Sequence, residues 1–136
     1  MSDHELIKEA LKARKRSYCP YSNFAVGAAL LTEDGAVFSG CNIENAAFSP
    51  TICAERTAIF KAVSEGCTSF VKIAIVGGNV DRPVENFCYP CGVCRQVMME
   101  FCDPDSFEII SATDEDHYRK FTLKELLPEG FGPDVL

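Results

Sequence analysis

Three cysteines and one glutamate are the residues of this 136-residue sequence best suited to chemistry. Cys53 is followed two positions later by Glu55, and Cys91 and Cys94 form a Cys-x-x-Cys pair behind Pro90. Three thiolates occupy three corners of a zinc tetrahedron, and an open fourth corner distinguishes catalytic from structural zinc sites. A glutamate beside that corner is suited to moving protons for a water molecule. The pattern predicts a zinc hydrolase.

A Cys-x-x-Cys pair alone also fits two other kinds of site. A structural zinc site needs a fourth protein ligand, and the even spacing of Cys88, Cys91 and Cys94 makes Cys88 the candidate. A thioredoxin-like redox pair is the other alternative, but it leaves Cys53 and Glu55 without a role. The catalytic zinc site is therefore the favoured interpretation.

Length and composition predict one compact domain over residues 1–136. The chain is 47% hydrophobic, yet it has no run of about 18 apolar residues, so no membrane span is expected. Residues 1–5 lack the basic-then-apolar order of a signal peptide, which predicts a cytoplasmic protein. In that compartment the eight cysteines are expected to bind metal or to be buried, and not to form a disulfide scaffold.

The excess of acidic residues limits the partners that the protein can have. A net charge of −7, from 20 acidic and 13 basic residues, repels a phosphate backbone. The one basic cluster, residues 12–16, is expected at the end of the first helix, where cations interact favourably with the helix dipole. We therefore expect a small-molecule substrate, and neither nucleic acid nor a membrane as a partner.

Hydrophobic periodicity predicts alternating helices and strands. Helices are expected over residues 3–16, 53–65, 91–101 and 123–127, and strands over residues 24–31, 37–43, 71–76, 107–112 and 118–122. The turn signal Glu33-Asp34-Gly35 predicts a hairpin between the first two strands, and residues 77–89 are expected to form a loop. This alternation predicts an α/β fold with a mixed sheet of about five strands and helices on both faces.

In this arrangement all the candidate catalytic residues lie at helix starts. Cys53 and Glu55 fall in the first turn of one helix, and Cys91 and Cys94 fall at the beginning of the next. Free backbone amides and the helix dipole favour anionic thiolates and carboxylates at such positions.

Five longer segments extend the pattern around these residues. They are PYSNFAVGAAL at residues 20–30, GCNIENA at 40–46, CAERTA at 53–58, PCGVCRQ at 90–96 and LLP at 126–128. Together they resemble the zinc-dependent nucleoside and nucleobase deaminases, and in particular the short, homotetrameric cytidine deaminases. The resemblance extends from about residue 6 to about residue 131 and implies the three-layer α/β/α cytidine-deaminase-like fold.

The resemblance implies hydrolytic deamination of cytidine and deoxycytidine to uridine and deoxyuridine, with release of ammonia, in pyrimidine salvage. One Zn²⁺ per subunit would be held by Cys53, Cys91 and Cys94, with a water molecule as the fourth ligand. Zinc would lower the pKa of that water, so that hydroxide would attack C4 of the pyrimidine near neutral pH. Glu55 would take the water proton, deliver it to N3 and assist the departure of ammonia.

The same resemblance assigns residues to substrate binding. Phe24 would stack near the base, the backbone of Ala54 would contact the base edge, and Asn42 and Glu44 would bind the ribose hydroxyls. Phe131 corresponds to a C-terminal aromatic residue that reaches the site of a neighbouring subunit. The expected enzyme is therefore a homotetramer with its sites at subunit interfaces.

All-thiolate ligation raises a question of charge. Three thiolates place three negative charges against the two positive charges of zinc, which weakens the acidification of water. Arg56 and Arg95 each stand beside a ligand, and a guanidinium that donates to a ligand sulfur would withdraw electron density and restore that acidity. The resemblance assigns this role to Arg56. Neither His4 nor His117 stands in a His-x-Glu motif.

Two positions depart from the family pattern, and three rival functions stay open. Phe48 stands where many relatives have tyrosine, and Tyr89 stands where a small residue is common. The rivals are a deaminase of a nucleoside antibiotic such as blasticidin S, a polynucleotide-editing deaminase and a non-catalytic zinc-structured interaction module. Asn42 and Glu44 favour the plain nucleoside, the acidity of the chain disfavours a polynucleotide, and Glu55 has no role in a structural module.

Overall fold

A helix and a β-hairpin open the chain, and helices and strands alternate after them. The structure, a computed structural model, describes residues 1–136. The helices are α1 (Asp3–Arg14), α2 (Ala54–Ser64), α3 (Gly92–Phe101) and α4 (Leu123–Leu126). The strands are β1 (Phe24–Thr32), β2 (Val37–Cys41), β3 (Phe70–Asn79), β4 (Glu108–Asp114) and β5 (His117–Thr122). None of the helices combines the length and the apolar character that crossing a bilayer requires.

The five strands form one mixed sheet in the order β2-β1-β3-β4-β5. β3 and β4 are parallel, with α3 as the crossover between them, and the other neighbouring pairs are antiparallel. The first two strands form the predicted hairpin, whose turn contains Gly35 at a φ of 90°.

Two strand ends differ from the prediction. The sequence predicts that β3 ends at Val76, but β3 continues to Asn79 because it pairs with β1 as far as Phe24. The sequence also predicts that β2 reaches Ile43, but β2 ends at Cys41. Beyond that point Ile43 makes only isolated bridges, one to residue 18 and one to residue 52.

Helices cover both faces of the sheet, and each face has its own hydrophobic core. Leu6, Ile7 and Ala10 of α1 pack against β1, β3 and β4 on one face. The helices α2, α3 and α4 cover the other face, where Ile59 and Met98 are fully buried. The architecture confirms the predicted α/β fold with a mixed five-stranded sheet between two helical layers.

The first turn of α2 lies unusually close to the sheet. A Cβ atom on Gly40 of β2 would lie only 2.6 Å from both the Ala54 carbonyl oxygen and the Ala58 amide nitrogen. Because only glycine permits this approach, Gly40 sets the distance between the sheet and the N-terminal end of α2, which carries Cys53 and Glu55.

Candidate active site

Both helices of the site begin at a cysteine. Cys53 is the N-cap residue of α2, and Cys91 is the N-cap residue of α3. The Sγ atom of Cys91 accepts a hydrogen bond from the backbone amide of Cys94 at 3.5 Å, so the Cys-x-x-Cys spacing caps the helix. Unpaired amides and the positive end of the helix dipole stabilise thiolates at both positions.

The sulfur atoms of Cys53, Cys91 and Cys94 form one cluster, in which all lie within 4.8 Å of one another. The Cys53 and Cys91 sulfurs are 3.8 Å apart. With Zn–S bonds of about 2.3 Å, the edge of a tetrahedral zinc site is also about 3.8 Å, so the donor set suits zinc in its chemistry and in its spacing. The Cys94 thiol and then Arg56 lower the pKa of Cys53 to about 5, which favours the thiolate form that binds metal.

Glu55 lies in the first turn of α2 beside this cluster. Its side chain is almost completely buried, with a residue exposure of 4%. Burial is the main cause that raises the pKa of Glu55 to about 7, and the negative charge on Cys53 adds to it. A carboxyl group that titrates near neutral pH can both accept and donate a proton. The residues of this site can therefore hold a metal ion and transfer protons beside it.

The two arginines next to the ligands have different contacts. Arg56 donates from Nη2 to the Cys53 sulfur at 3.3 Å. Burial alone lowers the pKa of Arg56, but its contacts with the cysteine thiolates raise it overall, so its charge is secure. Arg95 reaches no sulfur, because it donates to the carbonyl oxygens of Pro90 at 2.7 Å and Leu126 at 2.6 Å. Only Arg56 is placed to withdraw electron density from a ligand.

The other candidate ligands of the sequence lie elsewhere. The Cys88 sulfur is outside the three-sulfur cluster and packs 2.9 Å from the position that a Cβ on Gly77 would occupy. Burial raises the pKa of Cys88 to about 12, so it stays a neutral thiol. His4 and His117 each bond to an aspartate at the surface. The cluster therefore has three protein ligands, which is the open arrangement of a catalytic site.

Asn42 follows the last residue of β2, and its carboxamide joins that strand end to β1. Its Oδ1 atom accepts a hydrogen bond from the Val26 amide at 2.9 Å, and its Nδ2 atom donates to the Phe24 carbonyl at 2.8 Å. The hydroxyl of Ser17 also donates to Oδ1. Because a carboxamide has two N–H groups, Asn42 keeps one donor for a ligand.

Glu44 holds the turn that leads into β1. Its carboxylate accepts hydrogen bonds from the amides of Tyr21 at 2.9 Å and Ser22 at 3.1 Å, and from the Ser22 hydroxyl. These bonds hold the pKa of Glu44 below its ordinary value, and the bond from the Ser22 hydroxyl has the largest effect. Glu44 lines a cleft of about 410 Å³ with Phe48, whereas Phe24 lines a different cleft of about 170 Å³. The two residues line separate clefts, although the Ser22 hydroxyl bonds to both the Glu44 carboxylate and the Phe24 amide.

Two serines without a predicted role organise this segment. Ser17 bonds to Asn42, and the Ser22 hydroxyl joins Glu44 to the backbone amide of Phe24 at 3.0 Å. Their position in the polar turn between α1 and β1 was the only signal in the sequence. That signal predicts a turn, but the partners of the hydroxyls depend on how the turn packs against the chain after β2.

The remaining two predicted residues lie at a helix start and near the chain end. Ala54 is the buried first residue of α2, so its backbone amide has no acceptor within the helix. Phe131 lies in the C-terminal segment with 58% of its surface exposed. Its carbonyl accepts a hydrogen bond from Gln96 of α3 at 2.8 Å, which ties the segment to the helix of Cys94.

A thiolate cluster with an open corner, carried by two helix starts on one face of a mixed sheet, places the chain among the zinc-dependent hydrolases. The chain belongs to the family of the cytidine and deoxycytidylate deaminase zinc-binding region, whose model matches residues 1–107. This result confirms the resemblance that the sequence motifs indicate.

The chain is similar to cytidine deaminases along nearly its whole length. It is 48% identical over 136 residues to the cytidine deaminase of Sporosarcina psychrophila, with 100% of this chain and 96% of that protein covered. It is 50% identical over 131 residues to the cytidine deaminase of Halalkalibacterium halodurans, with 96% and 95% covered. The crystal structure of cytidine deaminase from Burkholderia pseudomallei matches with a TM-score of 0.86 and 44% identity, over 96% of this chain and 100% of that one.

Proposed function

We propose that this protein hydrolyses cytidine and deoxycytidine to uridine and deoxyuridine and releases ammonia, as a step of pyrimidine salvage. The observation that carries the proposal is the cluster of Cys53, Cys91 and Cys94 with the buried carboxyl group of Glu55 beside it. Membership of the deaminase family and similarity to proteins named cytidine deaminase support the choice of substrate.

Cys53, Cys91 and Cys94 would hold one zinc ion, which when bound supplies a Lewis acid that makes water acidic near neutral pH. Glu55 would accept a proton from the attacking water and deliver it to N3 of the pyrimidine. It would then move the second proton to the amino group, so that the bond from C4 to that nitrogen breaks and ammonia leaves. The burial of Glu55 keeps bulk water from competing for these protons.

The substrate contacts that we propose follow from groups with unused hydrogen-bonding capacity. The ionised carboxylate of Glu44 and the free N–H of Asn42 would bind the ribose hydroxyls. The amide of Ala54 would donate to the edge of the base. Phe24 would stack near the base, and Phe131 of a neighbouring subunit would cover it.

We further propose one catalytic domain over residues 1–136, a homotetramer with its sites at subunit interfaces, and a cytoplasmic location. Exposed aromatic rings, with Phe48 94% exposed and Phe131 58% exposed, support contacts with other chains. The site needs reduced thiols as ligands, which a reducing compartment maintains. The net charge of −7 supports a nucleoside over a polynucleotide as the substrate.

The test of this function compares the wild type with Glu55→Gln, and uses Glu65→Gln as the matched control at the exposed end of the same helix. We would follow the fall of cytidine absorbance and the release of ammonia, and assay zinc in each protein. We expect Glu55→Gln to lose about 10³-fold in turnover and to keep one zinc per chain, because it removes the proton carrier and no ligand. Glu65→Gln should match the wild type.

A zinc-loaded wild type that does not deaminate cytidine would contradict the proposed function. Turnover of blasticidin S in its place would favour the antibiotic rival. If Glu55→Gln keeps its turnover, the proton transfer must be assigned to another group.

A further inference from the structure

Cys91 is the cysteine of the cluster that packing fixes least. Cys94 is fully buried and Cys53 packs against the main core, whereas Cys91 is exposed. Cys91 lies outside α3 at its N-cap, and a Cβ on the following Gly92 would meet nothing within 4 Å beyond its chain neighbours and the backbone of its own helix. Apart from the hydrogen bond that its sulfur accepts from the Cys94 amide, Cys91 is held in place through the segment that precedes it, residues 87–90, which we name the strap.

Two hydrogen bonds hold the backbone of the strap. The hydroxyl of Ser111 in β4 donates to the Cys88 carbonyl at 2.7 Å. Arg95 of α3 donates to the Pro90 carbonyl at 2.7 Å. These bonds fix the strap on both sides of Tyr89 and give Arg95, which does not reach a sulfur, a role in placing Cys91.

The side chains of the strap are held by β5. The Tyr89 hydroxyl accepts a hydrogen bond from Arg119 at 2.9 Å, and the Tyr89 ring packs edge-on against Phe121 with 5.9 Å between centroids. The guanidinium of Arg119 also lies 4.5 Å from the centre of the Phe87 ring, within the range of a cation–π contact. Arg119 therefore contacts the strap at two of its four residues.

The contacts from β4 and β5 to the strap come from two residues that are paired across the two strands. Ser111 of β4 and Arg119 of β5 are directly opposite in the antiparallel pair, so their side chains project from the same face. Because the sheet fixes the spacing of Ser111 and Arg119, the Cys88 carbonyl and the Tyr89 ring are held at a fixed spacing too. Tyr89 stands where a small residue is common in the family, and its side chain makes contacts with β5 that a small side chain would lack.

We propose that Tyr89 and Arg119 are positioning residues that hold Cys91 in place and so slow the loss of zinc from the three-cysteine site. The inference rests on the proposed function for the zinc site but not for the substrate. Neither residue is a metal ligand, and both act through the strap. Contacts of this outer kind hold a ligand at its bonding position and so raise metal affinity.

The experiment measures the rate at which zinc-loaded protein releases zinc to an excess of the chromogenic chelator 4-(2-pyridylazo)resorcinol. The variants are Tyr89→Phe, which removes the hydroxyl and keeps the ring, Arg119→Met and the double variant. Tyr118→Phe is the matched hydroxyl control, because Tyr118 precedes Arg119 and is 39% exposed. Lys120→Met is the matched charge control, because Lys120 lies on the same strand and pairs with Asp3 away from the strap.

We expect Tyr89→Phe and Arg119→Met to release zinc about threefold to tenfold faster than the wild type. The double variant should release zinc at the rate of Arg119→Met, because both single changes break the same hydrogen bond. Tyr118→Phe and Lys120→Met should stay within about twofold of the wild type.

Release at the wild-type rate from both strap variants would overturn the inference. Equal acceleration in the Lys120→Met control would also overturn it, since the cause would then be a general loosening of β5. Independent, multiplicative effects in the double variant would overturn the pairing of Tyr89 with Arg119. A wild type that holds no zinc would refute the zinc site itself, whereas failure to deaminate cytidine would leave this measurement intact.

Discussion

The balance of charge around single residues decides how well this site can do chemistry. Three thiolates and the Glu55 carboxylate supply four negative charges when ionised, against two from zinc and one from Arg56. Arg56 is the one guanidinium placed to offset them, since it donates to the Cys53 sulfur at 3.3 Å while Arg95 bonds to backbone carbonyls. The acidity of the attacking water should therefore depend on Arg56 more than on any other residue that does not bind the metal.

We expect Arg56→Ala to move the acidic limb of the pH–rate profile for cytidine to higher pH and to lower kcat by about tenfold or more. Without the hydrogen-bond donor on Cys53, the sulfur would keep its electron density, and a metal held there would acidify water less. The measurement is kcat and kcat/KM across neutral pH at saturating zinc. Arg56→Lys keeps the positive charge, so its acidic limb and its kcat should lie between those of the wild type and those of Arg56→Ala. An unshifted acidic limb in Arg56→Ala would contradict the role of Arg56 in withdrawing electron density from the Cys53 sulfur.

Selectivity for the nucleoside should depend on Glu44. A site that hydrogen-bonds a substrate hydroxyl discriminates strongly against analogues that lack it, because its polar group is then left unpaired. We expect Glu44→Ala to lose about 100-fold or more in kcat/KM on cytidine and much less on free cytosine. Glu44 also holds the amides of Tyr21 and Ser22, so thermal unfolding must be followed in parallel. Equal losses on both substrates would contradict a ribose contact.

At the scale of helices and strands, local signals in the sequence predicted most of what positions the site. The Cys-x-x-Cys spacing and the helical periodicity place the ligands at helix starts, and Arg56 lies three residues after Cys53 on the same helical face. Contacts between distant segments were not predictable. β3 extends through two glycines because β1 pairs with it, and Arg95 reaches Leu126, which is 31 residues away. No local pattern encodes either contact.

An ion-pair cluster ties α1 to the sheet, and its effect on stability should depend on pH. Asp3 accepts from Lys72 at 2.6 Å and from Lys120 at 2.9 Å. Burial alone would raise the pKa of Asp3, but the hydrogen bonds and charges of the two lysines outweigh it and lower the pKa. A lowered carboxyl pKa stabilises the fold above the ordinary value of 3.8, and this stability is lost as pH falls through the folded-state value.

We therefore expect Asp3→Asn to lower the free energy of unfolding by about 1 kcal/mol at neutral pH, with a smaller difference in strong acid. Urea unfolding at fixed protein concentration measures both values. Asp105→Asn is the matched control, because its pair with Lys124 has side chains 72% and 71% exposed. The free energy of unfolding of Asp105→Asn should differ little from that of the wild type at either pH. A difference for Asp3→Asn that stays constant down to strong acid would contradict the assigned cause.

At the scale of the whole molecule, the site that we propose would take Phe131 from a neighbouring chain. Phe24 and Glu44 line different clefts, and the exposed rings of Phe48 and Phe131 lack partners for much of their surface. Sequence periodicity identifies core positions within one chain, but it carries no signal for which exposed side chains a second chain covers. The assembly is thus the part of the site that depends most on the family resemblance.

Subunit mixing tests whether Phe131 acts on a neighbouring site. We expect Phe131→Ala to lose about tenfold in kcat/KM and Glu55→Gln to lose nearly all activity. Unfolding and refolding an equal mixture should restore about a quarter of wild-type activity, because half of the sites keep Glu55 and half of those face an intact Phe131 from the other variant. Each variant refolded alone is the control. If Phe131 served its own subunit, no site in the mixture would carry both intact residues, and activity would stay at the average of the two variants.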